Sequence, residues 1–172
     1  MAKQSKVSTN PTQLAPARFQ KSVPLLLAGL RRHFNRDTRT QIPDLWHEAG
    51  PQFAKLPGHV GNVAYGVCIS TPGDQDDFDY LAAVEVSGVQ KLPPGWTHIK
   101  VPAQRYAVFR HDGPVSDIPT LMREIFQSWL PNSGYELTAG GDDEPDFLEH
   151  YGEGYDPTTG LGDIEVWLPV KS

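Results

Sequence analysis

The sequence predicts an α+β fold that contains two copies of a strand–helix–strand–strand unit. The order of the predicted elements runs strand, helix, strand, strand in the first half of the chain and then repeats. A helix in the second half carries one continuous apolar stripe, which must pack on a sheet. The halves also share a short echo, because Val23-Pro24 precedes Ile42-Pro43 as Val101-Pro102 precedes Ile118-Pro119. Duplication of one unit is the simplest explanation of this order.

The first unit is predicted from an apolar run and a helical pattern. Its elements are a strand at 23–34, a helix from Ile42 to about Leu56, and strands at 62–70 and 79–87. Pro43 suits the first helical turn, whereas Gly50-Pro51 is expected to kink or divide the helix. The acidic segment 71–77 is expected to form a solvated turn between the two later strands.

The second unit repeats this pattern. Its elements are strands at 97–101 and 106–111, a helix at 115–130, and strands at 146–151 and 163–170. The helical stripe consists of Ile118, Leu121, Met122, Ile125, Phe126 and Trp129. Such a stripe is typical of core packing rather than of a ligand site.

Length and composition favour a single domain. The chain has 172 residues, of which 38% are hydrophobic and 10% aromatic, enough to bury one good core. We expect residues 1–18 to form a flexible tail and residues 19–172 to form one domain, with halves of about 19–90 and 91–172. No apolar run reaches 18 residues, so neither a membrane span nor a signal peptide is predicted. The single Cys68 fits a reducing compartment, and we expect a cytoplasmic protein.

The last predicted strand contains a carboxylate and an indole on one face. Ile164, Val166 and Leu168 alternate with Glu165 and Trp167, so the first three face the core and the other two share a second surface. A cation is the natural guest of such a surface, because a sheltered carboxylate needs a positive partner and an indole attracts cations. The alternative is an ordinary packed Trp beside a solvated Glu.

The preceding strand repeats this arrangement with Glu149 and Tyr151. The segment between the two strands is rich in turn residues, so we expect a hairpin that brings both carboxylates and both aromatic rings onto one patch. When two carboxylates lie close together, the pKa of one of them is raised and the fold loses stability, unless the pair binds a cation or acts in acid–base chemistry. The alternative is that one of the two glutamates is solvated at the sheet edge.

Charge and motif patterns exclude several other functions. Residues 1–22 hold four basic and no acidic residues, which leaves 11 basic and 21 acidic residues in the remainder. This acidic body repels phosphate backbones, so we expect no direct binding to nucleic acid; cationic ligands or basic partner surfaces are favoured. The six histidines lack metal-ligand spacing, and no Walker, Gly-x-Ser-x-Gly or dinucleotide fingerprint occurs. We therefore expect neither a metal nor a cofactor.

In combination, these motifs resemble the GyrI-like small-molecule-binding domain family. This domain also forms the effector-binding half of AraC-type and MerR-type transcription regulators, and the similarity is strongest to stand-alone proteins of integron gene cassettes. The motifs that carry the resemblance are Ala28-Gly29-Leu30, Ile42 to Trp46, Tyr106 to Pro114, Leu148 to Tyr151, and Ile164 to Val170. The resemblance implies duplicated βαββ units with pseudo-two-fold symmetry, antiparallel sheets that form a cleft, and helices outside.

The resemblance also implies a function. The family binds lipophilic or aromatic organic cations, as drugs or effectors, between buried glutamates and aromatic walls. The positions that match are Glu149, Tyr151, Glu165 and Trp167, with Trp46, Tyr65 and Tyr106 as additional candidates. No helix-turn-helix domain accompanies the module in this sequence, so we do not expect it to act alone as a DNA-binding regulator.

Two other functions of such domains stay open. Some relatives hydrolyse reactive cyclopropane compounds, for which Glu149 and Tyr151 could supply a general base and its partner. Others inhibit DNA gyrase, and an acidic body could bind a basic protein surface. Ligand binding is favoured over catalysis, and no catalytic residue is assigned. The sequence does not identify the natural ligand, and it does not decide whether the chain binds a protein partner or forms a homodimer.

Overall fold

In the computed structural model, the described residues are 14–71, 74–138 and 144–171. Most of the predicted N-terminal tail falls on residues 1–13, which lie outside them. In the part of the chain that is described, helices lie against one large antiparallel sheet, which confirms the predicted α+β fold.

The strands and helices fall close to the predicted positions. The strands are β1 (Arg18–Lys21), β2 (Leu25–Phe34), β3 (His59–Thr71), β4 (Asp74–Val86), β5 (Trp96–Val101), β6 (Arg105–His111), β7 (Glu136–Leu137), β8 (Phe147–Tyr151) and β9 (Ile164–Lys171). The helices are α1 (Ile42–Phe53), α2 (Ile118–Glu124) and α3 (Leu130–Ser133), with a π-helical turn at Ile125–Trp129 between the last two.

The order of strands across the sheet shows the duplication. It is β1-β6-β9-β8-β3-β4-β2-β5, with β7 pairing with β9 off this path. Each unit has two strands, a helix and two further strands, and the first strand of each unit crosses over to pair with the other half. The units meet at the centre of the sheet, where β3 and β8 run antiparallel and Gly66 is paired with Glu149.

The two faces of the sheet are covered differently. On the face that we call the helix face, α1 packs with Leu45 and α2 packs with Leu121 and its neighbours. The opposite, helix-free face carries a cluster that contains no helical residue among those described. Ile99 and Val108 belong to this cluster and are 4% and 0% exposed, although they lie towards opposite ends of the sheet. The sheet must therefore curl around these side chains to exclude water.

Two strand predictions need correction. The strand β1 is absent from the predictions, because Arg18–Lys21 contains one apolar residue, Phe19. The acidic segment is also not the solvated turn that we expected, since β4 already begins at Asp74. There His33 Nε2 lies 3.3 Å from Asp77 Oδ1, and Arg36 Nη2 donates to Asp76 at 2.9 Å, so side chains on and beside β2 hold this end of β4.

The helices differ from the prediction at their prolines. The first helix is neither interrupted at Gly50 nor extended to Leu56, because α1 runs through Pro51 and ends two residues later at Phe53. In the second unit, the π-helical turn ends at Trp129, two residues before Pro131. A wider turn relieves the clash between a proline ring and the carbonyl of the preceding turn, which explains its position.

Candidate functional site

A buried carboxylate lies at the centre of the helix face. Glu149 extends from β8 towards α1 and is 9% exposed. Its Oε1 atom accepts a hydrogen bond from the Tyr80 hydroxyl at 2.6 Å and another from the Tyr151 hydroxyl at 2.7 Å. Both tyrosines are themselves buried. Two strands thus bring three polar side chains together inside an otherwise apolar layer.

Trp46 of α1 covers this group. Its Nε1 atom donates to the Tyr80 hydroxyl at 3.0 Å, so a continuous chain of hydrogen bonds runs from Trp46 through Tyr80 to Glu149. Its ring meets the Tyr151 ring edge to face, with centroids 5.3 Å apart. Tyr155 also contacts Tyr151, with ring centroids 4.8 Å apart. The carboxylate therefore sits among aromatic rings contributed by a helix, two strands and a loop.

The backbone leaves room for this group at Gly66. In the register of the sheet, Gly66 is paired with Glu149 on one side and with Ala82 on the other. A Cβ atom at this position would collide with both the Tyr80 hydroxyl and the Glu149 carboxylate. A residue without a side chain is therefore required where Glu149 and Tyr80 meet across β3.

Burial controls the acid–base properties of the group. It raises the pKa of Glu149, an effect that the hydrogen bonds from Tyr80 and Tyr151 oppose in part. Burial and the nearby Glu149 charge hold the pKa values of both tyrosines well above their usual value. In the described part of the chain, no ion pair includes Glu149. A cation placed beside it would offset the cost of burying its charge.

A second carboxylate occurs on the helix-free face. Glu165 of β9 accepts two hydrogen bonds from Arg18 of β1, at 2.9 Å from Nη1 and 3.1 Å from Nη2. Trp167 Nε1 donates to the same carboxylate at 2.9 Å. Burial alone would raise the pKa of Glu165, but the hydrogen bonds from Arg18 and Trp167 outweigh it and lower the pKa. This carboxylate already has a cation.

The predicted single patch of both pairs is wrong. Each pair does share a face, Glu149 with Tyr151 and Glu165 with Trp167, but the register of the β8–β9 ladder places Glu149 opposite Val166. Val166 points towards α2, so Glu149 lies on the helix face and Glu165 on the other. The sheet separates the two carboxylates.

The seven predicted site residues therefore form two groups. Trp46 joins Glu149 and Tyr151 on the helix face, whereas Tyr65, Tyr106, Glu165 and Trp167 lie on the helix-free face. Sequence reasoning missed Tyr80, Arg18 and His150. A tyrosine hydroxyl inside the apolar strand 79–87 was a signal for Tyr80, since such a group needs a partner. No comparable signal pointed to Arg18.

Among residues 14–71, 74–138 and 144–171, no three His, Cys, Asp or Glu side chains are arranged to hold a metal ion. Within the same ranges, no helix has the length and apolarity needed to cross a membrane.

Comparisons with known proteins agree with this architecture. Residues 18–171 match the sequence model of the GyrI-like small molecule binding domain. The transcriptional regulator BrlR of Pseudomonas aeruginosa is 30% identical over 131 residues, which cover 75% of this chain and 46% of BrlR. The chain thus spans about half the length of this curated relative.

Two solved structures have the same fold. SAV2435 bound to tetraphenylphosphonium has a TM-score of 0.66 and 21% identity, with 90% of this chain and 93% of that chain covered. The integron cassette protein VCH_CASS2, from the mobile metagenome of Vibrio cholerae, has a TM-score of 0.63 and 15% identity, with 92% and 99% covered.

Proposed function

The chain belongs to the GyrI-like small-molecule-binding domain family, and we propose that it binds lipophilic organic cations at Glu149. The observation that carries the proposal is a buried carboxylate whose hydrogen-bond partners are tyrosine hydroxyls. Hydroxyl groups stabilise a carboxylate without neutralising it, so its charge stays costly in an apolar layer. A cationic ligand supplies the missing charge.

The surroundings of Glu149 select the kind of cation. Trp46, Tyr80 and Tyr151 present ring surfaces, which attract cations electrostatically and bury apolar ligand area. A strongly hydrated ion such as Na⁺ gains little from such walls. An aromatic cation with a delocalised or shielded charge gains both contributions, so charge selects the guest and ring burial provides most of the affinity.

Ligand entry requires Trp46 to move. It covers Tyr80 and Tyr151 from α1. We infer that the ligand displaces the Trp46 side chain and takes its place beside the tyrosines.

The relatives support this function and suggest its context. The structural neighbour SAV2435 binds tetraphenylphosphonium, a lipophilic cation of the kind that the Glu149 site favours. The curated relative BrlR is a transcriptional regulator. We propose that this chain is a cytoplasmic effector-binding module linked to transcription, and that its acidic body does not itself bind nucleic acid.

Calorimetric titration with tetraphenylphosphonium tests the proposal. We expect saturable binding to the wild-type chain and affinity at least about 30-fold lower for Glu149→Gln, since a buried charge pair loses one partner. Glu165→Gln is the matched control, because it removes a carboxylate from the opposite face, and it should bind as the wild type does. Equal affinity in Glu149→Gln and the wild type would remove Glu149 from the mechanism.

An anion of the same shape separates charge from hydrophobic burial. Tetraphenylborate matches tetraphenylphosphonium in size and carries the opposite charge. We expect it to bind the wild type far more weakly than the cation does, and to bind Glu149→Gln better than the wild type. If the two ions bind the wild type alike, ring burial alone explains binding and the carboxylate has no selective role.

A further inference from the structure

Two positively charged side chains lie next to each other where the sheet ends at β1. Lys21 and Arg105 are directly opposite each other in the β1–β6 ladder, so their side chains leave the same face of the sheet. This is the helix face, because the Arg105 guanidinium lies over the ring of Phe19, and that ring contacts Trp129 of the π-helical turn. Like charges that face each other across a strand pair are destabilising, so an anion bound between them would stabilise this corner.

Neither cation has an acidic partner in the part of the chain that the structure describes. Among the described residues, the side chains of Lys21 and Arg105 make no hydrogen bond and no ion pair. The Arg105 guanidinium instead lies over two rings, with its Cζ atom 4.9 Å from the centre of the Phe19 ring and 5.6 Å from that of Tyr135. Its N–H donors point outwards in the plane of the group and are available to an acceptor. In a chain with 21 acidic residues, a half-buried arginine without a carboxylate points to a ligand that brings one.

The first unit shows that the fold does not require two cations at this place. Counted along the strand pairings outwards from the centre of the sheet, Leu26 of β2 is the counterpart of Arg105 of β6. Lys100 of β5, the counterpart of Lys21, lies opposite Leu26. The first unit therefore has one positive charge where the second has two, and the arginine of the second unit needs another explanation.

An open cleft begins beside Arg105. It has a volume of about 550 Å³, which is enough for an aromatic ring system, and its walls are Leu130, Pro131, Gly134, Tyr135, Glu136 and Leu137. Tyr135 joins the cleft to the cation pair, because its ring also contacts the Arg105 guanidinium. The one carboxylate in the walls, that of Glu136, lies opposite Lys171 in the β7–β9 ladder, so a lysine on the same face balances its charge. The cleft therefore offers apolar walls next to a positive end.

We propose that Arg105, Lys21 and Tyr135 form a binding site for a small aromatic carboxylate. The guanidinium donates two parallel hydrogen bonds to the carboxylate, and the Lys21 ammonium on the neighbouring strand adds a second positive charge. The ligand's ring packs on Tyr135 and enters the cleft. Phe19 stacks on Tyr135 with centroids 4.8 Å apart, so the rings that support Arg105 are already in place without the ligand. The site takes an anion at the edge of the sheet and does not depend on the function proposed for Glu149.

Naphthylacetate and its neutral isostere naphthylacetamide provide a matched pair of probes. Their binding can be followed in proton–nitrogen correlation spectra through the indole N–H of Trp129, whose ring stacks on Tyr135 with centroids 6.1 Å apart. The signal is assigned with Trp129→Phe. We expect a saturable shift with naphthylacetate, and an affinity at least about tenfold lower for the amide, because the amide cannot accept two charge-assisted hydrogen bonds.

Charge-neutralising variants locate the site. Arg105→Gln should bind naphthylacetate at least about tenfold more weakly than the wild type, and Lys21→Gln about threefold to tenfold more weakly. Lys100→Gln is the matched control, because it removes the same charge from the counterpart position of the first unit, and it should bind as the wild type does. Glu149→Gln should also keep the affinity for naphthylacetate, which separates this site from the one proposed above. If Arg105→Gln loses its dispersed spectrum, Arg105→Met, which keeps the apolar stem, replaces it.

An acidic peptide distinguishes a small ligand from a segment of a partner protein. A tetraglutamate peptide with blocked ends supplies carboxylates without an aromatic ring, and we expect it to bind at least about tenfold more weakly than naphthylacetate. Equal or tighter binding of the peptide would assign this surface to an acidic protein partner and overturn the proposal. The proposal also fails if the Trp129 signal of the wild type responds equally to naphthylacetate and its amide, or if Lys100→Gln weakens binding as much as Lys21→Gln does.

Discussion

Glu149 and Glu165 point to opposite faces of the same antiparallel strand pair, because β8 and β9 pair Glu149 with Val166 and His150 with Glu165. The two carboxylates therefore have opposite electrostatic environments. Glu149 is buried among tyrosine hydroxyls and its pKa is raised, whereas Glu165 is paired with Arg18 and its pKa is lowered. As the pH rises, ionisation of Glu149 should lower the folding stability, whereas ionisation of Glu165 should raise it.

The raised pKa of Glu149 predicts that cation binding depends on pH. Tetraphenylphosphonium carries the same charge at every pH, so only the protein titrates. Glu149 must lose its proton to neutralise the ligand. The affinity for tetraphenylphosphonium should therefore rise by up to about tenfold per pH unit between pH 4.5 and the raised pKa of Glu149. Titrations across this interval measure the slope. Glu149→Gln should show weak, pH-independent binding, and a flat profile in the wild type would contradict the assignment.

The lowered pKa of Glu165 predicts that its contribution to folding stability is lost in acid. Its folded-state pKa lies below the usual 4.5, so the ion pair with Arg18 stabilises the fold above that value and ceases to do so as the pH falls through the lowered pKa. Since the Arg18 side chain is 41% exposed, we expect a contribution of about 1 kcal/mol or less. Urea unfolding of the wild type and Glu165→Gln at several pH values should show a difference that shrinks in acid. A difference that grows in acid would rule out this linkage.

Two glycines provide a test of how the Glu149 site is packed. A Cβ atom on Gly66 would collide with Tyr80 and Glu149, so Gly66→Ala should destabilise the fold by about 1–3 kcal/mol. A Cβ atom on Gly88, in the loop after β4, meets no heavy atom within 4 Å, so Gly88→Ala should change the stability by less than about 1 kcal/mol. Chemical unfolding measures both changes. Equal effects of the two substitutions would contradict the close approach at Gly66.

The sequence could predict local geometry but not the register between strands. The spacing of two residues placed Glu149 with Tyr151 and Glu165 with Trp167 correctly, because the pleat of a strand is a local property. Whether the two pairs meet depends on the β8–β9 register, and a shift of one residue exchanges the faces. That register closes where the Gly152 amide donates to the Asp163 carbonyl, in a segment that contains positive φ angles at Gly160, Gly162 and Asp163. No pattern in the sequence specifies such a path.

Partners that are distant in the sequence were also beyond prediction. Arg18 meets Glu165 across 147 positions of the chain, through a strand of four residues that lacks an apolar pattern. The sequence did indicate that Glu165 beside Trp167 needs a cation, and this physical requirement was correct. The cation present in the structure is a side chain of the protein. A requirement for charge can be inferred from neighbouring residues, but the group that meets it depends on tertiary structure.

The last prediction concerns the hydrogen bond that holds Trp46 over the site. The Tyr80 hydroxyl accepts from Trp46 Nε1 and donates to Glu149, so Tyr80→Phe leaves the Trp46 indole N–H without a partner and removes one of the two donors to Glu149. We expect it to cost about 2–3 kcal/mol of unfolding free energy, compared with about 1 kcal/mol for Tyr151→Phe, which removes one donor to Glu149. Urea unfolding of both variants measures the difference. Similar costs would show that the Trp46 bond adds little.

A double-mutant cycle isolates the contribution of Trp46. Once Trp46→Phe has removed the indole N–H, Tyr80→Phe no longer leaves it unsatisfied, so the double variant should be less destabilised than the sum of the single variants, by about 1 kcal/mol. The cycle of Trp46→Phe with Tyr151→Phe is the matched control. Its rings stay in contact, and the hydroxyl that it removes bonds Glu149 rather than Trp46, so its effects should add to within about 0.5 kcal/mol. Coupling in the Tyr151 cycle equal to that in the Tyr80 cycle would mean that ring packing, not the hydrogen bond, holds α1 over the carboxylate.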